Sequence, residues 1–373
     1  MRVLHFYKHY FPDSFGGVEQ SIHQIVQATL QYGIKSDILA LSYNPSSKVI
    51  EWKGERIHQV KCNFEIASTR FSFKAIKTFK ELVNEVDVIH YQFPWPYMDL
   101  LHFSAKVKKP TIVTYQSDIV RQKYLLKLYQ PLQNAFLNSV SKIVATSIPY
   151  VESSQVLQQY KNKITVIPNG IAPYTKKIAK NRQEKWRTLC KDKFLLFVGV
   201  LRYYKGLSIL LNALKGLDYP LVIVGKGPLE DSLRKEVQQL GLHNVHFVGE
   251  VSDEDKFALY DLCHGFVFPS HLRSEAFGVA LLEAAMMGKP LISCEMQTGT
   301  SYINQDGETG WVVRPGCPKA LRTAIEALWT SSDDFLTNLG KAAKARYEKL
   351  FTAEKIGKRY AELYYNLYHT KTL

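Results

Sequence analysis

The chain has 373 residues, too many for one core of ordinary size, so two domains are expected. With 46% hydrophobic and 22% charged residues it reads as globular. No apolar run reaches the roughly 18 residues that cross a membrane, and the opening MRVLHFYKHYF lacks the apolar stretch and cleavage site of a signal peptide. The net charge of +14 fits an anionic partner, whether nucleic acid, anionic lipid or a phosphorylated small molecule, or a solvated basic surface.

Short β-branched runs alternate with helical patterns along the chain. Strands are predicted at 3–7, 36–41, 86–91, 111–115, 142–147 and 164–168. After a basic stretch the series restarts at 194–200, 221–225, 245–249, 265–270, 291–295 and 309–315. Such alternation builds parallel sheets covered by helices, here two doubly wound α/β domains. The expected domains are 1–175 and 190–352, with a basic linker over 176–189 that follows the turn-rich PNGIAPY. The tail AEKIGKRYAELYYNLYH has apolar residues three and four apart, predicting a helix over about 353–373. Cys62, Cys190, Cys263, Cys294 and Cys317 are scattered without a C-x-x-C, which points to a reducing compartment and away from zinc.

Several loops after strands suit phosphate. Gly16 and Gly17 in FPDSFGGVEQSIHQIV precede a helix, where backbone N–H groups hold anions and glycine permits close approach. Arg202 and Lys205 lie in FVGVLRYYKGL, two cations between a strand and a helix, suited to a diphosphate. VGKGPLED, with Gly225, has the look of a phosphate loop but lacks the nucleoside-triphosphate pattern, and Pro228 suits the first turn of a following helix. The run Asp253-Glu254-Asp255 reads as a helix start capped by Ser252 rather than as a metal site.

PSHLRSEAFGVALLEAAMMGKP (269–290) is the most informative segment. A strand ends at Ser270, and a helix is expected from near Phe277 to Gly288. Glu275 and Glu283 stand eight positions apart, at most about 12 Å along a helix. Amides near Phe277 and Gly278 can take a diphosphate, with a sugar reaching Glu275 and a ribose reaching Glu283.

This E-x(7)-E segment resembles the retaining glycosyltransferases of family 4, which have the GT-B fold: two Rossmann-like domains facing a central cleft. The likeness extends to GGVE (16–19), RYYKG (202–206), GKGPL (225–229), FVGEV (247–251) and DGETGWVV (306–313). HYQFPWPYMDLLHF (90–103) and TYQSDIVRQK (114–123) resemble the bacterial branch that builds lipopolysaccharide O-antigens, often with mannose. The resemblance implies a hexose moved from a nucleotide sugar, GDP-mannose foremost, to a lipid-linked glycan acceptor, with no metal or other cofactor. A glucosyl- or galactosyltransferase using a UDP-sugar is the alternative. Glu275 would bind the donor sugar, and Phe277 and Gly278, flanked by Ala276 and Val279, the diphosphate. Glu283 would hold the ribose, Arg202 and Lys205 the leaving β-phosphate. Gly16, Gly17, Gly225 and Val251 complete the donor site, Val251 near the base. The C-terminal helix would return to the N-terminal domain.

Two positions depart from the pattern. The usual G-R-L is Gly199-Val200-Leu201, with Arg202 as the replacement cation. The strand TIVTYQSDI carries Gln116 where the branch has His, so this position hydrogen-bonds but carries no proton.

A lipid-linked acceptor implies work at the inner face of the cytoplasmic membrane. In RFSFKAIKTFK (70–80), Phe71, Phe73 and Phe79 with three lysines suit either anionic lipid or a core-facing helix with an exposed basic face, and Lys106, Lys108, Lys109, Arg121, Lys123 and Lys127 add to the charge of this half of the chain. A dinucleotide oxidoreductase would need G-x-G-x-x-G after the first strand, which GGVEQS does not match. No nucleic-acid-binding module is recognisable, so nucleic acid is not an expected partner.

Overall fold

The computed structural model describes residues 1–119, 123–190 and 193–370. Two units divide the chain, Met1–Ala172 with Ala353–Leu373, and Pro173–Thr352.

The first unit is built on strands β1 (Arg2–Tyr7), β2 (Lys35–Ser42), β3 (Ile50–Trp52) and β4 (Glu55–Lys61), a hairpin of β5 (Phe64–Ile66) and β6 (Thr69–Phe71), then β7 (Val88–Phe93), β8 (Thr111–Tyr115), β9 (Lys142–Ala145) and β10 (Ile164–Val166). Its helices are α1 (Gly17–Leu30), α2 (Phe73–Glu85), α3 (Pro96–Ser104), α4 (Lys123–Ser139) and α5 (Ile148–Ser153). The sheet order is β10-β9-β8-β7-β1-β2-β4-β3, parallel except for β3. The central strands are buried on both faces, as covering helices require; all six residues of β7 are buried, His90 and Gln92 among them. From β1 the chain winds outward through β2 and β4, then returns to β7 and winds the other way. The switch point therefore lies between β1 and β7, and loops at the C-terminal strand ends beside it are where such sheets hold ligands.

The second unit opens with α6 (Lys180–Cys190), followed by β11 (Leu195–Val198), α7 (Leu207–Leu214), β12 (Leu221–Val224), α8 (Glu230–Gln239), β13 (Val245–Gly249), α9 (Asp253–Leu262), β14 (Gly265–Phe268) and α10 (Val279–Met286). Then come β15 (Leu291–Cys294), α11 (Gly299–Ile303), β16 (Gly310–Val313), α12 (Pro318–Thr330) and α13 (Asp333–Leu350). The order β13-β12-β11-β14-β15-β16 is parallel throughout, with its switch point between β11 and β14.

The last helix, α14 (Ala353–Thr370), belongs to the first unit. Gly357 lets it seat on α1, since a Cβ there would lie 2.5 Å from the Ala28 carbonyl oxygen. Its Tyr364 hydroxyl pairs with His90 Nδ1 at 2.7 Å, and Tyr365 donates to the Tyr32 carbonyl at 2.9 Å.

Two expectations are corrected. Residues 176–189 are not a linker: α6 packs on α9, with Trp186 buried and its Nε1–H donating to Asp255 at 2.9 Å. Arg182 pairs with the same carboxylate at 2.8 Å and Lys176 with Glu254 at 3.0 Å. The basic stretch thus meets the chain's own acidic helix start. Nor do the aromatics of 70–80 all face outward: the segment runs from β6 into α2, a core-facing helix with Lys74, Lys77 and Lys80 on its exposed side. Phe71 is in β6 and stacks on Phe64 at 4.9 Å, while Phe79 is fully buried against Phe6. Only Phe73 of the three is exposed. Arg121 lies outside the described residues.

Candidate functional site

The switch point of the second unit collects the strongest candidates. Lys205 ends a short turn, Tyr203–Lys205, on the loop after β11. Gly206 follows with φ 71°, and a Cβ there would come within 2.0 Å of the Pro269 carbonyl oxygen on the loop after β14. Only glycine allows this approach. The two loops are also joined by the His271 amide, which donates to the Tyr204 carbonyl at 3.0 Å. This stitching brings Lys205 onto Glu275 as an ion pair, both side chains 12% exposed. Ser270 donates to the same carboxylate at 3.3 Å, and the ammonium lies 4.8 Å from the Phe268 ring centroid. Arg202 opens the same turn, is exposed and makes no ion pair among the described residues.

Helix α10 begins at Val279, two residues later than expected, because Gly278 adopts φ 97° and ψ 67°. Phe277 is buried as an anchor, and the Gly299 amide donates to the Ala276 carbonyl at 2.8 Å. The amides of Phe277 and Gly278 have no acceptor among the described residues. Unpaired N–H groups at a helix start, two residues from a paired Lys and Glu, are a binding arrangement for a phosphate group.

Glu283, on the second turn of α10, accepts from Lys256 Nζ at 2.8 Å and from the Tyr260 hydroxyl at 3.0 Å. Burial works against the Lys256 charge, but Glu283 and Asp253 outweigh it and raise its pKa above the ordinary lysine value. Burial, followed by Glu283, holds the Tyr260 phenol far above its ordinary value, so it remains a donor. Val251 is half-buried between β13 and α9. Ser252 caps α9 by accepting from the Asp255 amide at 3.1 Å, and Asp253 pairs with Lys256 at 3.1 Å. Each carboxylate of the acidic run therefore has a cationic partner within the chain.

Gly225 serves the backbone. It has φ 121°, a Cβ there would lie 2.1 Å from the Gly199 carbonyl oxygen, and its amide donates to Gly249 at 2.7 Å. The loop 225–229 is thus a bed for the loop that carries Arg202 and Lys205. Pro228 precedes α8, which starts at Glu230, instead of sitting in its first turn.

In the first unit, Gly16 caps α1 and Gly17 is its first residue. A carboxylate of the chain itself lies at the start of this helix. Glu19 folds back over it, accepting from His9 Nδ1 at 2.7 Å and from Ser14 Oγ. A Cβ at Gly16 would meet the Glu19 carboxylate at 2.8 Å, whereas one at Gly17 would meet nothing within 4 Å. Gln116 extends the β7–β8 pairing, its amide N–H donating to the Phe93 carbonyl at 3.0 Å. Its side-chain Nε2 donates to Gln92 at 2.8 Å, which fixes its orientation at the strand end.

The sequence did not single out Lys256, Tyr260, Ser270, Gln92 or the His9–Glu19 pair. Their partners lie far off in sequence or across a loop, and only the topology brings them together.

Two doubly wound units, one with paired charges and open helix-start amides at its switch point, define a two-domain GT-B glycosyltransferase. The family described as Glycosyltransferase Family 4 matches residues 15–173, and Glycosyl transferases group 1 matches 179–346. The chain belongs to these glycosyltransferases. It is 52% identical over 355 residues to the D-rhamnosyltransferase WbpZ of Pseudomonas aeruginosa, covering 95% of this chain and 93% of that one. It is 49% identical over 372 residues to the O-antigen chain mannosyltransferase C of Escherichia coli, covering both chains completely. The sucrose-phosphate synthase structure from Thermosynechococcus elongatus shares the fold, with TM-score 0.80 at 20% identity over 99% of each chain. So does WaaG, a glycosyltransferase involved in lipopolysaccharide biosynthesis, with TM-score 0.71 at 17% identity over 97% of this chain and 99% of that one.

Proposed function

We propose that this glycosyltransferase moves mannose, with retention of anomeric configuration, from GDP-mannose to a lipid-linked glycan in O-antigen assembly. The observation that carries this reading is the Lys205–Glu275 pair beside the unpaired amides of Phe277 and Gly278. A donor diphosphate accepts from those amides and draws Lys205 from Glu275 to its β-phosphate. Glu275, released, accepts hydrogen bonds from the sugar hydroxyls. Arg202 is free to add a second positive charge, and Glu283 keeps acceptor capacity for a ribose. As the bond between the anomeric carbon and the β-phosphate oxygen breaks, these cations and amides stabilise the negative charge that develops. The acceptor oxygen bonds to the same face of the carbon, and its proton passes to the departing phosphate oxygen. The charge is met by Lys205 and Arg202, so the scheme needs no metal, and Gln116 supplies an amide rather than a proton carrier.

The sugar assignment is supported by the mannosyltransferase relative at 49% identity over the whole chain. The D-rhamnosyltransferase at 52% favours a second reading, transfer of the same hexose lacking its 6-hydroxyl. Action at the inner face of the cytoplasmic membrane is supported by a groove of about 340 Å³ in the first unit, lined by Ile66, Phe71, Pro96, Leu125 and Leu128. Leu128 and Ile66 are 82% and 61% exposed, and Lys74, Lys77, Lys80 and Lys127 lie exposed on α2 and α4. Apolar surface flanked by cations suits anionic lipid. Among the described residues no helix is long and apolar enough to cross a membrane.

Thermal-shift titration with GDP-mannose, UDP-glucose, UDP-N-acetylglucosamine and dTDP-rhamnose, followed by transfer assays, tests the donor. Ligand at a hundred times its Kd adds about 2.7 kcal/mol, a rise of roughly 5–10 °C. The rise is expected with GDP-mannose; a rise confined to a UDP-sugar overturns the assignment.

A further inference from the structure

His9 lies two residues beyond the end of β1, beside the switch point of the first unit, and the reaction as described makes no use of it. Its Nδ1 is fixed on Glu19 Oε1 at 2.7 Å, and its side chain is 21% exposed. Glu19 is almost completely buried and also accepts from Ser14. Burial opposes the Glu19 charge, but the hydrogen bonds from His9, Ser14 and its own amide outweigh that and lower its pKa, so it accepts and does not donate. Nδ1 must then be the donor. In the neutral ring this leaves the lone pair on Nε2, which has no partner among the described residues. The Tyr7 ring, 5.0 Å away and edge-on, helps to hold the imidazole. A buried carboxylate that fixes one tautomer and leaves the other nitrogen open is how proteins aim an imidazole at a ligand.

We propose that His9 is an acceptor-binding residue: Nε2 accepts a hydrogen bond from a hydroxyl of the acceptor glycan, with Glu19 setting the tautomer. The inference rests on the proposal that this enzyme transfers a sugar to a glycan. Gln116 at the end of β8 cannot be held in a single-acceptor state in this way, because its amide is both donor and acceptor.

Three variants test it: His9→Phe, which keeps a ring without nitrogens; His9→Gln, which restores an acceptor; and Glu19→Gln, which keeps the contact but can donate to Nδ1 and reverse the tautomer. Transfer is measured with octyl mannoside and octyl N-acetylglucosaminide as acceptors, using whichever donor the wild type accepts. His9→Phe and Glu19→Gln are expected to raise the acceptor KM about tenfold, the size of one neutral hydrogen bond. Donor KM and the thermal shift with GDP stay unchanged, and His9→Gln recovers part of the loss. An acceptor KM within twofold of wild type in His9→Phe, or donor and acceptor KM rising together, overturns the proposal. Saturation-transfer NMR of octyl mannoside on wild type and His9→Phe needs no turnover, so it judges His9 even if the donor assignment fails. Weaker signal in the variant supports the proposal, and equal signal contradicts it.

Discussion

Replacing Lys205 with Met separates stability from chemistry at the site. The methylene stem stays, and the ammonium that holds Glu275 is lost. Glu275, with a 12% exposed side chain, keeps only the Ser270 hydroxyl at 3.3 Å. Stranding a largely buried carboxylate costs about 2 kcal/mol, or roughly 4–8 °C in the melting of a unit of this size. Transfer loses more, because removing one preorganised donor from developing charge costs about 3–4 kcal/mol, a 10²–10³-fold fall in kcat. The double variant Lys205→Met/Glu275→Gln has no stranded charge, so its melting temperature returns to near wild type while its activity stays low. Differential scanning fluorimetry and a radiolabel transfer assay on the three proteins give the comparison. Activity recovering in step with the melting temperature would refute a chemical role for Lys205.

Other outcomes follow from the same geometry. His5 is fully buried, and burial lowers its pKa to about 3 from 6.5. The unfolded chain takes up the proton below pH 6.5 and the folded chain does not, so stability present above pH 6.5 is lost as pH falls toward 3. The slope is about 1.4 kcal/mol per pH unit, near 2 kcal/mol at pH 5, and urea titrations of His5→Leu should show it removed. Gly206→Ala forces a side chain onto φ 71° and 2.0 Å from the Pro269 carbonyl; it is expected to cost on the order of 3 kcal/mol and to lower transfer, measured by the same melting and label assays. Gln116→His should leave kcat within about threefold with no new titration near neutral pH; a new ionisation in its pH profile would show that a proton carrier is used there.

The parallel cores and the site loops were legible because buried parallel strands must be apolar on both faces and their loops must be glycine-rich where backbones touch. Strand β4, ERIHQVK, was not legible. Its buried Glu55 is met by Tyr10 at 2.9 Å and by His23 and Gln27, so a polar residue occupies a core position that patterning assigns to solvent. The stretch 176–189 reads as a linker by charge, yet its cations find Glu254 and Asp255 about 70 residues away. Helix α10 starts late because Gly278 turns left-handed, a conformation the residue permits but does not announce. The Lys205–Glu275 contact also spans 70 residues and depends on β11 and β14 being neighbours, which only the sheet order supplies. The aromatics at 70–80 divide in a way their spacing does not show: Phe79 packs in the core against Phe6, Phe71 is half-buried on the hairpin beside the groove, and Phe73 is exposed.

The most direct test of the account is the NMR analysis of the product formed from GDP-α-mannose and octyl mannoside by wild type and by Lys205→Met. Retaining transfer driven by Lys205 gives an α-linked disaccharide from the wild type and at least a hundredfold less of it from the variant. A β-linked product, or an undiminished yield from Lys205→Met, would contradict it.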